Sequence, residues 1–420
     1  MLKVHKQKFL ARTTTAIATV ALLLGGIAIS TGSATAASPP AIAQRLTLAK
    51  PRLAKLTMTF PQDTAQALRI ADFILSLENA NGAIADSPGA ATSNNDSNAE
   101  YALMGLAAAY SYSRTTKYLT GFEHGLTWLA AREDMKAGIW RGSWYLQYSS
   151  RPPYAEVPAP SNGGRIVNVR GVDATSSLFV YLLYLDQRLT GNSTLVRQYS
   201  NNAQAALNFV VNRNADTTTD LGHGLFYGSW LLGKTTHTWS VYKEEYADDQ
   251  GDDYLGFHAG ALLYNKNKYG AVATTIKRRT PAVIWNTKSL MYATGLSGNV
   301  LDNSLDGYDE GMSQGYLAWM WGNTTKDQDG MTWLRRHVLH SGAIQTDLKR
   351  PAYSLNIGLL GMGDASLGAP APSTSFAYLV NTAQDTNNGG VHDTLNSTDL
   401  TEYDNVAGFS ILGLLGFQAF

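Results

Sequence analysis

The stretch GVDATSSLFVYLLYLDQRLTGN, residues 171–192, decides how this chain is read. It opens near Asp173, a residue type that caps helix starts, and closes on Gly191, a residue type that ends them. Between the two, apolar residues fall on most faces of a helix, so the helix is expected to be buried all round. Working outward, segments 97–112, 252–264, 309–322, 353–363 and 404–420 read the same way. They alternate with amphipathic segments: 63–79, 117–133, 193–213, a polar helix through Lys277-Arg278-Arg279, 331–339 and 375–383. Six buried helices, each after a half-buried one, predict an all-α fold: an (α/α)6 toroid of six helical hairpins in two concentric rings, over residues 61–420. Leu178, Leu182, Trp319, Ile411 and Leu414 are the expected core. Two long loops leave room for short β-hairpins.

The turns from outer to inner helices share a motif. Its closest copies are Gly138-Ile139-Trp140-Arg141-Gly142-Ser143-Trp144 and Gly224-Leu225-Phe226-Tyr227-Gly228-Ser229-Trp230, which predict equivalent places for Trp144 and Trp230. Looser copies are Gly82-Ala83-Ile84, Gly342-Ala343-Ile344, Gly390-Val391 and Gly298-Asn299-Val300. Glycine lets the chain leave a helix with positive φ, and the apolar residue after it is expected to tuck into the barrel rim.

The N-terminus reads as an export signal. Lys3, Lys6, Lys8 and Arg12 precede an apolar run from Ala16 to Ile29, and Ala34-Thr35-Ala36 offers a small-x-small cleavage site. Residues 1–36 are therefore expected to be a signal peptide cut near Ala36, with 37–60 an Ala- and Pro-rich leader. The secreted product would keep no membrane segment. Basic and acidic residues balance at 33 each with no basic block, which argues against nucleic acid as a partner. Cysteine is absent, so no disulfide contributes. Histidines lack ligand spacing, and neither a metal nor a cofactor is expected. The oxygen-rich run Asp248–Asp253 is the nearest approach to a calcium loop.

Acidic residues gather where the buried helices begin. Asp96 and Glu100 flank the first such start, Asp173 the second, Asp248, Asp249, Asp252 and Asp253 the third, Asp306, Asp309 and Glu310 the fourth, and Glu402 and Asp404 the sixth. One carboxylate suffices to cap a helix. Doubled and quadrupled acids ask for a further reason. In a toroid these starts open on one face, so the acids converge there. The loops entering that face carry Trp140, Trp144, Tyr145, Tyr148, Tyr227, Trp230, Trp239 and Tyr242. Flat rings beside carboxylates suit carbohydrate.

Twelve helices, acidic inner-helix starts and aromatic loops resemble the six-hairpin glycosidase superfamily. Residues 171–192 are similar to a V/A-D-A-x-x-x-F segment and TGD-like turn found in several of its families, and Asp252-Asp253 resembles the paired aspartates of bacterial and fungal α-mannanases. The resemblance implies a hydrolase acting on a poly- or oligosaccharide. One carboxyl would give a proton to the leaving oxygen, and another would stay ionised to activate water or attack the sugar. The candidates are Asp309, Glu310, Asp253, Asp252 and Asp173 for chemistry, with Trp140, Trp144, Tyr227, Trp230, Glu100 and Asp404 for substrate binding. Two alternatives remain open. One is a polysaccharide lyase using His223, His237, His258 or Tyr242 with Arg165 or Arg170; the other is a toroid that binds glycans without cleaving them.

Overall fold

The computed structural model describes residues 61–304, 311–322, 324–340, 343–344, 353–369, 381, 383–394 and 400–420. The expected signal peptide and leader lie outside them, as do Asp309, Glu310 and most of the expected helix 375–383. The described residues belong to one compact unit, Met58–Phe420.

The inner helices form where the sequence is apolar all round. They are α2 (Asn98–Ser113), α4 (Asp173–Thr190), α7 (Ala247–Tyr264), α9 (Leu317–Trp321) with the π turn Met312–Tyr316 before it, α11 (Leu355–Ser366) and α12 (Asp404–Leu414). The ring closes on itself. The segment α2 packs on α4, α4 on α7, α7 on 312–321, that segment on α11, α11 on α12, and α12 back on α2. Amphipathic helices lie outside: α1 (Pro61–Leu77), α3 (Thr116–Arg132), α5 (Thr194–Gln198) with α6 (Ser200–Phe209), α8 (Asn267–Val283) and α10 (Thr325–Val338). Leu178, Leu182, Trp319, Ile411 and Leu414 are all buried, as expected. The long loops hold short antiparallel strands, including Ile166–Arg170, Ser229–Gly233 and Trp239–Tyr242 in one sheet.

Glycine sets how closely the inner helices approach. A Cβ on Gly408 would stand 2.3 Å from the Tyr101 carbonyl oxygen, and one on Gly256 2.3 Å from that of Ser177. No side chain fits at these α12–α2 and α7–α4 crossings.

The turns repeat, in a different register from the one the letters suggest. Among the described residues, four turns share one bonding pattern, and each begins with an Asn or Asp. Its N–H reaches the carbonyl after a glycine: Asn79 to Ala83 (2.8 Å), Asp134 to Ser143 (2.9 Å), Asp216 to Leu225 (2.9 Å) and Asp385 to Gly390 (2.8 Å). The glycines Gly82, Gly142, Gly224 and Gly389 have φ of 90°, 94°, 86° and 87°. Leu290, with φ 54°, takes that place in the fourth hairpin. Two residues on, Ile84, Trp144, Phe226, Tyr292 and Val391 are all buried. Trp144 therefore corresponds to Phe226, not to Trp230, which sits in the strand Ser229–Gly233. Gly298-Asn299-Val300 is not a copy at all; it turns between the paired strands Gly295–Ser297 and Val300–Asp302. Hydrogen-bonded position, rather than a matched Gly-x-x-x-Gly-Ser-Trp string, defines the repeat.

Candidate active site

The starts of α2, α4, α7 and α12 bring their acids together, in two layers. The lower layer is fully buried. Asp173 opens α4, with its N–H on the Gly228 carbonyl at 3.2 Å and its Oδ1 accepting the Ala174 N–H at 3.0 Å. It lies beside the carboxyl of Asp253, which accepts the Ser177 hydroxyl at 2.5 Å. Burial, with Asp253 and Asp249 adding to it, holds Asp173 well above the usual carboxylate range. Burial lifts Asp253 to about 7, with the Ser177 hydroxyl and Asp173 acting against it. Beside them Asp252 accepts the Tyr101 hydroxyl at 2.6 Å and the Tyr316 hydroxyl. Burial raises it strongly, and the two tyrosines oppose that.

The upper layer is Asp248 and Asp249, in the first turn of α7, and both keep part of their surface exposed. They stand one helical turn before Asp252 and Asp253, about 6 Å along the axis. Burial lifts Asp248 to about 6; the N–H groups of residues 248 and 249 act against this, and Asp96 adds to it. Asp249 is pushed well above the usual range, by burial first and then by Asp248, Asp252, Asp96 and Asp253. Asp96 is itself partly exposed. Gly228 leaves room for this arrangement, since a Cβ there would stand 3.0 Å from Asp249 Oδ2.

Glu100 and Asp404 line the same end and are fully buried. Burial raises Glu100 to about 8, and neither of its oxygens has a hydrogen-bond partner. Burial raises Asp404 further above its usual range, with Asp86 and Glu100 contributing.

The aromatic loops serve two purposes. Trp140 and Trp230 meet edge to face at 5.5 Å, and Trp239 lies 5.3 Å from Trp140. These rings surround Arg170, whose guanidinium is 4.4 Å from both the Trp140 and Tyr145 rings and 3.0 Å from Asp134. The clamp fixes the strand that leads into Asp173. Trp140, Trp230 and Trp239 stay partly exposed. Trp144 does not join them. It is 2% exposed, with its indole N–H on the Leu129 carbonyl at 2.8 Å and its ring 5.4 Å from Phe179, so it has almost no surface to offer a ligand. Tyr227 bonds Asp216, in a separate acid group with Asp220 and Glu245.

Of the residues singled out for a lyase, Arg170 and Tyr242 lie in one sheet, Arg170 in the aromatic clamp and Tyr242 buried with its hydroxyl 3.1 Å from that of Tyr246, and the others are scattered. Arg165, His223 and His237 are exposed on loops, and His258 lies further along α7, edge-on to Phe420 at 4.5 Å. Asp309 and Glu310 lie outside the described residues; the next residue, Gly311, bonds Asn356 Oδ1 at 3.0 Å. Sequence reasoning missed Tyr101 and Tyr316 as partners of Asp252. Their signal was a tyrosine hydroxyl in the buried part of an inner helix.

No protein-family model matches the sequence, and no curated protein matches it. Solved structures do. The cellobiose 2-epimerase of Bacillus thermoamylovorans B4167 has a TM-score of 0.61 at 11% identity, over 84% of this chain and 98% of that one. A glycosidase in complex with glucose has a TM-score of 0.59 at 10% identity, over 86% of this chain and 99% of that one. An inactive variant of the α-1,6-mannanase GH76A of Salegentibacter sp. HEL1_6, changed from Asp to Asn at two consecutive positions and bound to α-1,6-mannotriose, has a TM-score of 0.54 at 12% identity, over 85% of this chain and 99% of that one. At such identities the likeness is one of fold, and this chain folds, as they do, as an (α/α)6 toroid.

Proposed function

We propose that the chain is a secreted glycoside hydrolase, cut near Ala36 on export, that cleaves a poly- or oligosaccharide by carboxylate acid/base catalysis. The observation that carries this reading is the partly exposed Asp248–Asp249 pair above the buried carboxyls of Asp173, Asp252 and Asp253. Asp249, held protonated by its crowded surroundings, gives its proton to the glycosidic oxygen as the C–O bond breaks. Asp248, ionised once the pH passes about 6, takes a proton from water or attacks the anomeric carbon. The buried candidates Asp173, Asp252 and Asp253 act from beneath, by setting the charge that Asp249 feels. Trp140 and Trp230 offer ring faces to a sugar at the loop edge. The fold relatives support the class, since one is a mannanase whose inactive variant lost two consecutive aspartates.

The test is release of reducing ends from a polysaccharide panel that includes an α-1,6-linked mannan. Asp248→Asn and Asp249→Asn are each expected to lower kcat by about 100-fold or more, with melting temperatures near wild type. Near-normal rates in both variants would remove this pair from the mechanism, and a wild type inactive on every glycan would favour a binding role.

A further inference from the structure

The turn repeat sets up an internal comparison. In the second, third, fourth and sixth hairpins the first residue of the turn faces a residue on the returning strand. Register fixes the pairs. The backbone bonds Leu146 N to Val169 O (3.0 Å), Gly228 N to Glu244 O (3.0 Å), Thr294 N to Asp302 O (2.9 Å) and Asp393 N to Thr401 O (2.8 Å) are equivalent. The residues that follow these carbonyls are therefore equivalent too: Arg170, Glu245, Asn303 and Glu402. Their partners across the turn are Asp134, Asp216, Asn286 and Asp385.

Two of the pairs are self-sufficient. Asp134 and Arg170 form an ion pair at 3.0 Å, and Asn286 donates to Asn303 at 2.7 Å. The other two set carboxyl against carboxyl. Among the described residues, no Lys or Arg forms an ion pair with Asp216, Glu245, Asp385 or Glu402. Where the second hairpin places a guanidinium, the third sets two carboxyls together and the sixth sets two carboxyls beside the His392 imidazole.

The third and sixth hairpins carry different side chains three residues after the turn glycine. Tyr227 stands there in the third, and His392 in the sixth. The histidine completes a ligand set, because Asp385, His392 and Glu402 each bring one ligand atom to within 4.8 Å of the others. His392 Nδ1 is 3.7 Å from Glu402 Oε1. Ligands about 2.0–2.2 Å from a common ion stand no more than about 4.4 Å apart, so small side-chain rotations close the set. The Leu400 carbonyl lies 3.0 Å from His392 Nδ1, a contact that an ion on this nitrogen would displace, whereas Glu402 is 5% exposed and Asn388 donates to its other oxygen at 2.6 Å. Such an outer bond orients a metal ligand.

We propose that Asp385, His392 and Glu402 bind one divalent transition-metal ion of the Zn²⁺ class. One imidazole with two carboxylates suits Zn²⁺ or Mn²⁺ better than Ca²⁺, which favours oxygen alone. The ion replaces the charge that Arg170 supplies in the second hairpin. It also ties the turn Asp385–Gly390 to Glu402, two residues before Asp404 opens α12. Its role is to fix the helix that carries Asp404 into the acid cluster. The ligands are seven and ten residues apart, so no compact motif marks them in the sequence.

The test is titration of the whole exported protein with Zn²⁺ after EDTA treatment and dialysis, read by calorimetry and by thermal melts. Wild type should bind one equivalent and melt at a higher temperature when loaded. His392→Ala, and the milder His392→Asn, should weaken binding by at least about tenfold, with metal-free melts like that of wild type. Asp216→Asn, at the matching place in the third hairpin, should bind as wild type does. Absence of binding in wild type, undiminished binding in both His392 variants, or loss of binding in Asp216→Asn would each overturn the proposal.

Discussion

At the residue scale, the difference between a working acid and a buried one is a single helical turn. Asp248-Asp249 and Asp252-Asp253 are both acidic doublets four residues apart, so they repeat on nearly the same faces of α7. The sequence therefore showed that acids crowd this helix start. It did not show which doublet meets solvent, because the first turn of α7 precedes its apolar run. Gly228 marks the answer in the structure. A methyl group there would press on Asp249 Oδ2 from 3.0 Å, and a carboxylate end can swing away at little cost. Gly228→Ala is thus expected to lower kcat/KM by about tenfold or more while shifting the melting temperature little, since small misplacements of a reacting group are costly. Unchanged kinetics on the glycan that wild type cleaves would show that Asp249 is not held where it works.

At the element scale, what was legible was burial, and what was not was contact. Segments apolar all round announced the inner ring, and the amphipathic ones announced the outer ring, so the fold class followed from hydrophobic pattern alone. The start of α7 was misplaced because Ala247 to Gly251 looks polar. That stretch forms helix because Gln250 pairs through its amide with both backbone groups of Phe226, at 3.0 and 2.9 Å. The turn repeat was misaligned for a related reason, since hydrogen-bonded position leaves no mark on letter spacing. The inner-helix glycines were visible but unread. Gly408→Ala, with its Cβ 2.3 Å from the Tyr101 carbonyl oxygen, should destabilise the protein by about 1–3 kcal/mol in a denaturant titration, because neither backbone can yield. Gly270→Ala on the outer helix α8 meets only Ala261 Cβ at 3.7 Å and should be neutral or stabilising by up to about 1 kcal/mol. Equal effects at both sites would mean that glycine does not set the helix spacing.

At the scale of the whole molecule, the toroid gathers carboxyls faster than it gathers cations, and this has a consequence for its stability. Burial raises Glu100 and Glu133 to about 8 each and Asp253 to about 7. A carboxyl raised in the folded state binds a proton that the unfolded chain has already lost above about pH 4, so the native state carries more protons between the two pKa values. Stability must then fall as pH rises through that window, the reverse of the usual salt-bridged carboxylate. The melting temperature is expected to decline from about pH 5 to about pH 8. Activity should run the other way at first, because Asp248 ionises only as pH passes about 6. Glu100 isolates the effect. Its two oxygens are buried without partners, and glutamine keeps its shape while removing the ionisation. Glu100→Gln should therefore flatten the decline measured by melts across this pH range, raising the melting temperature at pH 8 relative to wild type. If wild type melts at the same temperature throughout, or if Glu100→Gln declines as steeply as wild type does, the buried acids are not what limits this toroid at neutral pH.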